Sequence, residues 1–190
     1  MPYPLIIICG PSGVGKTVMI RRLLHDIPAL QPTVTYTTRA QRKGAKAAED
    51  KIMRFISPAE FRTRIRQRQF LEWALVHGHY YYGTPQKELE RRRSRGPVIL
   101  NIEVQGTQIV KRKIPDAHTI FILPTPRALY LRRLKKIRAD DPNLAERIRD
   151  IHRELKQAPT FDYRIYNHEG KLQQTYRALK KQVKNIIDKN

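Results

Sequence analysis

Among 190 residues this chain has one cysteine, one tryptophan and only 17 acidic side chains, and it has no long apolar run. Each scarcity excludes something. The single Cys9 leaves no partner for an internal disulfide, and its place in an apolar stretch reads as a buried strand thiol and not as a nucleophile. The longest apolar stretch, Leu5 to Cys9, is far short of the ~20 residues that a membrane-spanning helix needs, so a soluble protein is expected. Met1 to Pro4 carry neither a basic segment nor a small-residue cleavage site, so no secretory signal is expected and the cytoplasm is the expected location. Internal repeats, low-complexity linkers and shifts of composition are also missing, which predicts one domain of ordinary size.

Acids are scarce against 38 Lys and Arg, leaving a formal charge of +21. Such a surface draws anions, phosphate-bearing small molecules included, over roughly a Debye length of ~10 Å. The basic clusters fall at Arg62 to Arg68, Arg91 to Arg95, Lys111 to Lys113, Arg132 to Arg138 and Lys180 to Lys184, each in a predicted helix. Spread over so many elements, they read first as solvated helix faces. Contact with nucleic acid is the alternative, through a patch assembled in space from distant segments.

Leu5 to Cys9 is a continuous apolar run ended by Gly10, the pattern of a strand buried on both faces. Val98 to Ile102 and Thr119 to Leu123 share that character, and helical segments are predicted at Gln105 to Lys113 and Pro126 to Arg138. Strands alternating with helices imply an α/β fold with a central parallel sheet flanked by helices. Between the first two of these strands the texture changes to alternating segments: Thr33 to Thr37, Met53 to Ile56, Phe70 to His77 and Tyr80 to Tyr82. They predict a small, largely antiparallel insertion. Ser57, Pro58 and Glu60 give it a helix with an N-cap, a proline at the first position and a capping box, ending near Arg68. Asp140 to Asn143 break the later helical pattern, Leu144 to Gln157 resume it, Tyr163 to Tyr166 read as a last strand, and Lys171 to Lys189 as a final helix.

Gly10-Pro11-Ser12-Gly13-Val14-Gly15-Lys16-Thr17 fits G-x-x-x-x-G-K-[ST], directly after the buried strand and before a helix predicted over Val18 to His25. That context is what a phosphate-binding P-loop requires. The glycines let backbone N–H groups turn inward around phosphate oxygens. Lys16 would reach the β and γ phosphates of ATP, the Thr17 hydroxyl would ligate Mg²⁺, and the helix presents its positive end to the anion.

A second set of segments resembles the guanylate kinase family. It comprises Thr37-Thr38-Arg39 with Arg42, Phe70-Leu71-Glu72-Trp73-Ala74, Tyr81-Tyr82-Gly83-Thr84-Pro85, Asn101 to Gly106, Pro115-Asp116-Ala117, Ile120 to Pro124 and Phe161-Asp162-Tyr163. These occur in the family's order and, with the P-loop, cover nearly the whole chain. The resemblance implies a P-loop NTPase fold with an inserted nucleoside-monophosphate-binding subdomain at 33–97 and a helical lid at 136–147, the core being 1–32, 98–135 and 148–190. It implies ATP-dependent transfer of a phosphate to a nucleoside monophosphate, GMP foremost. Residues matching Arg39, Arg42 and Tyr82 would hold the acceptor phosphate, and those matching Thr35, Glu72, Thr84 and Glu103 would face the guanine. A carboxylate suits guanine, whose N1–H and N2–H donate along one edge. Lys16, Arg133, Arg138 and Arg147 would supply charge to the transferring group, and no general base is needed because the acceptor is already ionised.

The chain also departs from the family. Asn101 stands where a carboxylate near the metal is usual, which should weaken placement of Mg²⁺. Met53 takes the place of a tyrosine on the acceptor phosphate. The loop Gly44 to Asp50 lacks the expected glutamate, and Lys135 to Ala139 replace an arginine-glycine pair in the lid. These changes leave open a binding module with little or no turnover, and the basic charge alone leaves open a nucleic-acid-associated ATP-binding protein.

Overall fold

A computed structural model describes residues 2–41, 52–76, 78–141 and 143–189. In chain order it contains β1 (Leu5–Cys9), α1 (Lys16–Asp26), β2 (Gln31–Pro32), β3 (Thr35–Thr37), β4 (Met53–Phe55), α2 (Pro58–Arg66), β5 (Phe70–Val76), β6 (Tyr80–Pro85) and α3 (Gln86–Arg93). There follow β7 (Val98–Asn101), α4 (Val104–Lys113), β8 (His118–Thr125), α5 (Arg127–Ile137), α6 (Leu144–Gln157), a 3-10 turn at Ala158–Thr160, β9 (Tyr163–His168) and α7 (Leu172–Asp188).

The main sheet runs β2-β7-β1-β8-β9, with every pairing parallel. β1 lies at its centre, and all five of its residues are buried. Its alternate side chains enter different cores. Ile6 and Ile8 pack with Met19, Leu23, Leu179 and Val183 beneath α1 and α7, while Leu5 and Ile7 pack with Leu89, Leu100 and Val110 on the opposite side. A run with no polar alternation is therefore what a strand covered on both faces requires. Asp162 fastens the far edge: its Oδ2 accepts from the Thr119 N–H at 2.8 Å and hydroxyl at 2.9 Å, joining the start of β9 to β8.

The inserted segments form a second sheet, β4-β3-β6-β5. The β3–β6 and β5–β6 pairs are antiparallel as expected, but β3 and β4 are parallel. One face of this sheet carries an aromatic stack, in which Phe61 of α2 lies 4.5 Å from Phe70 and 5.1 Å from Tyr81 by ring centroid. Gly83 is required beneath it, since a Cβ there would lie 2.9 Å from Phe70. Trp73 points to this same side, 6.0 Å from Tyr81, and is 41% exposed.

Local details refine the expected elements. α1 starts two residues earlier than predicted, at Lys16, because Gly15 can serve as its N-cap at φ 98°. The α2 capping box is half formed. Ser57 Oγ accepts from the Glu60 N–H at 3.1 Å, but the Glu60 carboxylate turns forward to Arg64 at 2.8 Å. β2 and the start of α3 gave no periodic signal, the first being two residues long and the second almost wholly charged.

Candidate active site

Gly10 to Gly15 turn between β1 and α1, and the turn is forced by contact as well as by dihedral angle. Gly10 has φ 140°, and a Cβ on it would sit 2.6 Å from the Ile122 carbonyl oxygen. No side chain can replace it without moving backbone. Gly13 and Gly15 also have positive φ, 80° and 98°.

Every carbonyl from Gly10 to Val14 accepts a side-chain hydrogen bond. Lys16 Nζ donates to Gly10, and to Pro11 at 3.0 Å. The Tyr130 hydroxyl donates to Ser12 at 2.6 Å, Arg133 to Gly13 at 3.1 Å, and Asn167 Nδ2 to Val14 at 2.8 Å. Asn167 is itself oriented by the Thr175 hydroxyl, which donates to its Oδ1 at 2.8 Å. Arg133 also pairs with Glu169 at 3.4 Å. The Val14 N–H turns back to the Pro11 carbonyl at 3.3 Å, and a turn of this shape, leading into a helix whose first N–H groups lack intrahelical partners, can cradle an anion. Burial lowers the pKa of Lys16, while the nearby Cys9, Glu154 and Glu103 act to raise it. Cys9 is itself pushed up to about 12 by burial, in keeping with an inert core thiol.

The second sheet gathers the other group of predicted residues. Glu72 pairs across strands with Thr84, Ala74 with Tyr82, and Thr37 with Tyr82. Strand alternation then puts Thr35, Glu72, Tyr82 and Thr84 on one face, opposite the aromatic stack. Glu72 is 5% exposed, and its Oε1 accepts from the Thr84 hydroxyl at 2.6 Å. Burial is the main cause that raises its pKa to about 7; bonds from Thr84 resist the shift and the Glu103 charge adds to it. Its Oε2 rests against α4 at Gly106, where a Cβ would lie 2.8 Å away. Arg39 donates to the Ala40 carbonyl at 2.6 Å and contacts Met53 Sδ at 3.4 Å, with the Phe55 ring 5.6 Å away. Arg42 and the Gly44 to Asp50 loop lie outside the described residues.

Glu103 occupies the N-cap position of α4, just beyond β7. Its negative charge raises the pKa of Glu72 in the second sheet and of Lys16 and Glu154 at the loop alike, so its field reaches both groups. Asn101, the exposed last residue of β7, lies in register with Ile8. Arg138 and Arg147 converge on Asp141, at 3.5 and 2.7 Å, and hold its carboxyl below the usual range together with the Asn143 N–H, the largest cause.

A family model described as guanylate kinase matches residues 3–186. The chain belongs to the guanylate kinase family. It is 41% identical over 170 residues to a guanylate kinase of Thermosynechococcus vestitus, covering 88% of this chain and 87% of that one. It is 34% identical over 189 residues to one from Bdellovibrio bacteriovorus, covering 98% and 100%. The crystal structure of guanylate kinase from Anaplasma phagocytophilum superposes with a TM-score of 0.77 at 26% identity, over 98% of this chain and 87% of that one.

Within this guanylate kinase family member, three site residues escaped the sequence reading. Tyr130 and Asn167 brace the loop from positions more than a hundred residues away. Glu154 sits on the amphipathic α6 beside Lys16, where burial and the Glu103 charge raise its pKa to about 7 against the pull of Lys16. A carboxylate next to an apolar stripe looks like any helix-flank acid, so no pattern in sequence set it apart. Among the described residues no cluster of three or more His, Cys, Asp or Glu suits a metal, and no helix is long and apolar enough to cross a membrane.

Proposed function

We propose that this guanylate kinase family member transfers the terminal phosphate of ATP to GMP, giving ADP and GDP. The observation that supports the reading is that the Glu103 charge acts both on Lys16 of the braced P-loop and on the buried Glu72 carboxylate held by Thr84. The core at 1–32, 98–135 and 148–190 would hold ATP through residues Gly10 to Thr17. The subdomain at 33–97 would hold GMP, with Arg39, Arg42 and Tyr82 on its phosphate and Thr35, Glu72, Thr84 and Glu103 at the guanine. Ionised Glu72 accepts from the guanine N1–H and N2–H; adenine offers no such pair and would leave the buried charge unmatched.

Transfer to a phosphate needs positioning and positive charge. Lys16 would move from the Gly10 and Pro11 carbonyls to the phosphates when ATP enters. Arg133 supports the loop from its carbonyl side, and closure of the lid at 136–147 would release Arg138 and Arg147 from Asp141 toward the transferring group while excluding water. The hard oxygens of Thr17 and the carboxylate oxygen of Glu154, which lacks a donor, fit Mg²⁺, which takes one or two carboxylates and fills its remaining positions with phosphate and water. When bound, the ion neutralises charge on the phosphate oxygens.

A coupled assay across GMP, dGMP, AMP, CMP and UMP tests the reading, with GMP and dGMP expected to lead. Transfer to a pyrimidine nucleotide without transfer to GMP would remove the guanine assignment. Asn101 at the end of β7 favours one second reading, a binding module of low turnover. GMP bound without product in a single-turnover experiment would establish that instead.

A further inference from the structure

α6 carries the chain from the segment after α5 back to the core, and two anchors fix its rotation. Ile151 is buried with Tyr130 and Leu134. Leu155, one turn on, packs against that cluster and also against the one formed by Cys9, Val104, Phe121, Ala158 and Phe161. Glu154, about 100° round from Leu155, is thereby held among Lys16, Glu103, Cys9 and Tyr130 at the mouth of the P-loop. Its position is set by packing and not by a salt bridge.

Its Oε2 is shielded from solvent and has no hydrogen-bond partner among the described residues. Lys16 does not fill that role, because its ammonium is committed to the Gly10 and Pro11 carbonyls. Native proteins rarely leave a buried acceptor without a donor, and such an orphan calls for a ligand. The ligand has to bring a donor or positive charge to a carboxylate that already feels the negative charge of Glu103, just beyond β7, and of Asp150. Hydrated Mg²⁺ brings both, since the waters in its shell are strong donors.

We propose that Glu154 is the positioning carboxylate for the Mg²⁺ that accompanies the donor nucleotide, accepting from the ion's bound waters. The metal site is thus divided between the helix after the P-loop and the helix that returns from the lid. The inference rests on the assignment of ATP to Gly10–Thr17 and adds to it a role for α6.

The test is calorimetric binding of a non-hydrolysable ATP analogue to the full chain, once with Mg²⁺ and once with EDTA, with Mn²⁺ affinity of the nucleotide complex followed by electron paramagnetic resonance. Glu154→Gln keeps the shape and removes the charge. It should weaken Mn²⁺ binding by about 10- to 100-fold, the range seen when groups that orient a metal's ligands are lost. Metal-free analogue should bind as well as before or better, since one negative charge has left the neighbourhood of the phosphates. Glu154→Asp should fall between, and it serves the same test if the glutamine variant proves unstable on heating. Equal weakening with and without metal would overturn the proposal, because Glu154 would then act through Lys16. Unchanged Mn²⁺ affinity would also overturn it. If the unaltered chain bound no analogue in either condition, the ATP assignment would fall as well, which separates that failure from failure of the metal role.

Discussion

The two proposed half-sites would recognise anionic nucleotides by opposite means. The P-loop uses backbone amides, so its specificity lies in a chain path that glycines permit and five satisfied carbonyls enforce. The second sheet uses side chains, so its specificity lies in which group stands at Glu72, Tyr82 and Thr84, on strands that many sequences could form. Backbone sites tolerate neighbours and demand glycine; side-chain sites demand identity and tolerate backbone. A lesion in one half should therefore leave the other intact.

Lys16→Met breaks the comparison most sharply. Removing a cation from the transferring phosphate should lower kcat by about 10²–10³-fold, while GMP affinity measured calorimetrically stays unchanged. Glu72→Gln attacks the other half. Loss of ~1.5–3 kcal/mol of charged hydrogen bonding corresponds to about 10- to 150-fold in kcat/KM for GMP, and ATP-analogue affinity should not move. Gly106→Ala is finer. Its methyl group would meet Glu72 Oε2 at 2.8 Å, and the side chain can shift, so the fold should survive while KM for GMP rises about tenfold, roughly one charged hydrogen bond misaligned.

The smallest expected effect is one of pH. Glu72 has a folded pKa of about 7 against an ordinary 4.5, so the folded protein holds this proton more tightly than the unfolded chain. Its contribution to stability is full below about 4.5 and is lost as pH rises through 7. The proposed guanine contact needs the ionised form and runs the other way. GMP affinity should increase by about fourfold between pH 6.5 and 8 from this group, with a proton released to buffer. The Glu72→Gln variant should lose that part of the dependence.

Legibility from sequence divided along the same line. β1 and the loop were readable because a strand buried on both faces, obligatory glycines and a fixed motif spacing are all local, while α1 began two residues earlier because Gly15 caps it. The burial of Glu72 was not, because alternation in β5 marks only two faces and cannot say that α4 closes over one of them at Gly106. The half-formed capping box at Ser57 failed through competition: Arg64, one turn on, offers the Glu60 carboxylate a charged partner. Tyr130, Asn167 and Glu154 were unreadable for a third reason. Each acts on the P-loop through the packing of α5, α6 and β9, and sequence spacing carries no record of that approach. Arg133, which the resemblance names as a source of charge for the transferring group, here donates to the Gly13 carbonyl.

Trp73 gives the molecule a one-sided reporter. As the sole indole it lies on the second sheet, one residue from Glu72 and on the reverse face of the same strand. Its emission should respond to an occupant of the Glu72 face through displacement of β5 against α2, and stay dark to events at the distant loop. Intrinsic fluorescence would then count one substrate while the other binds unseen.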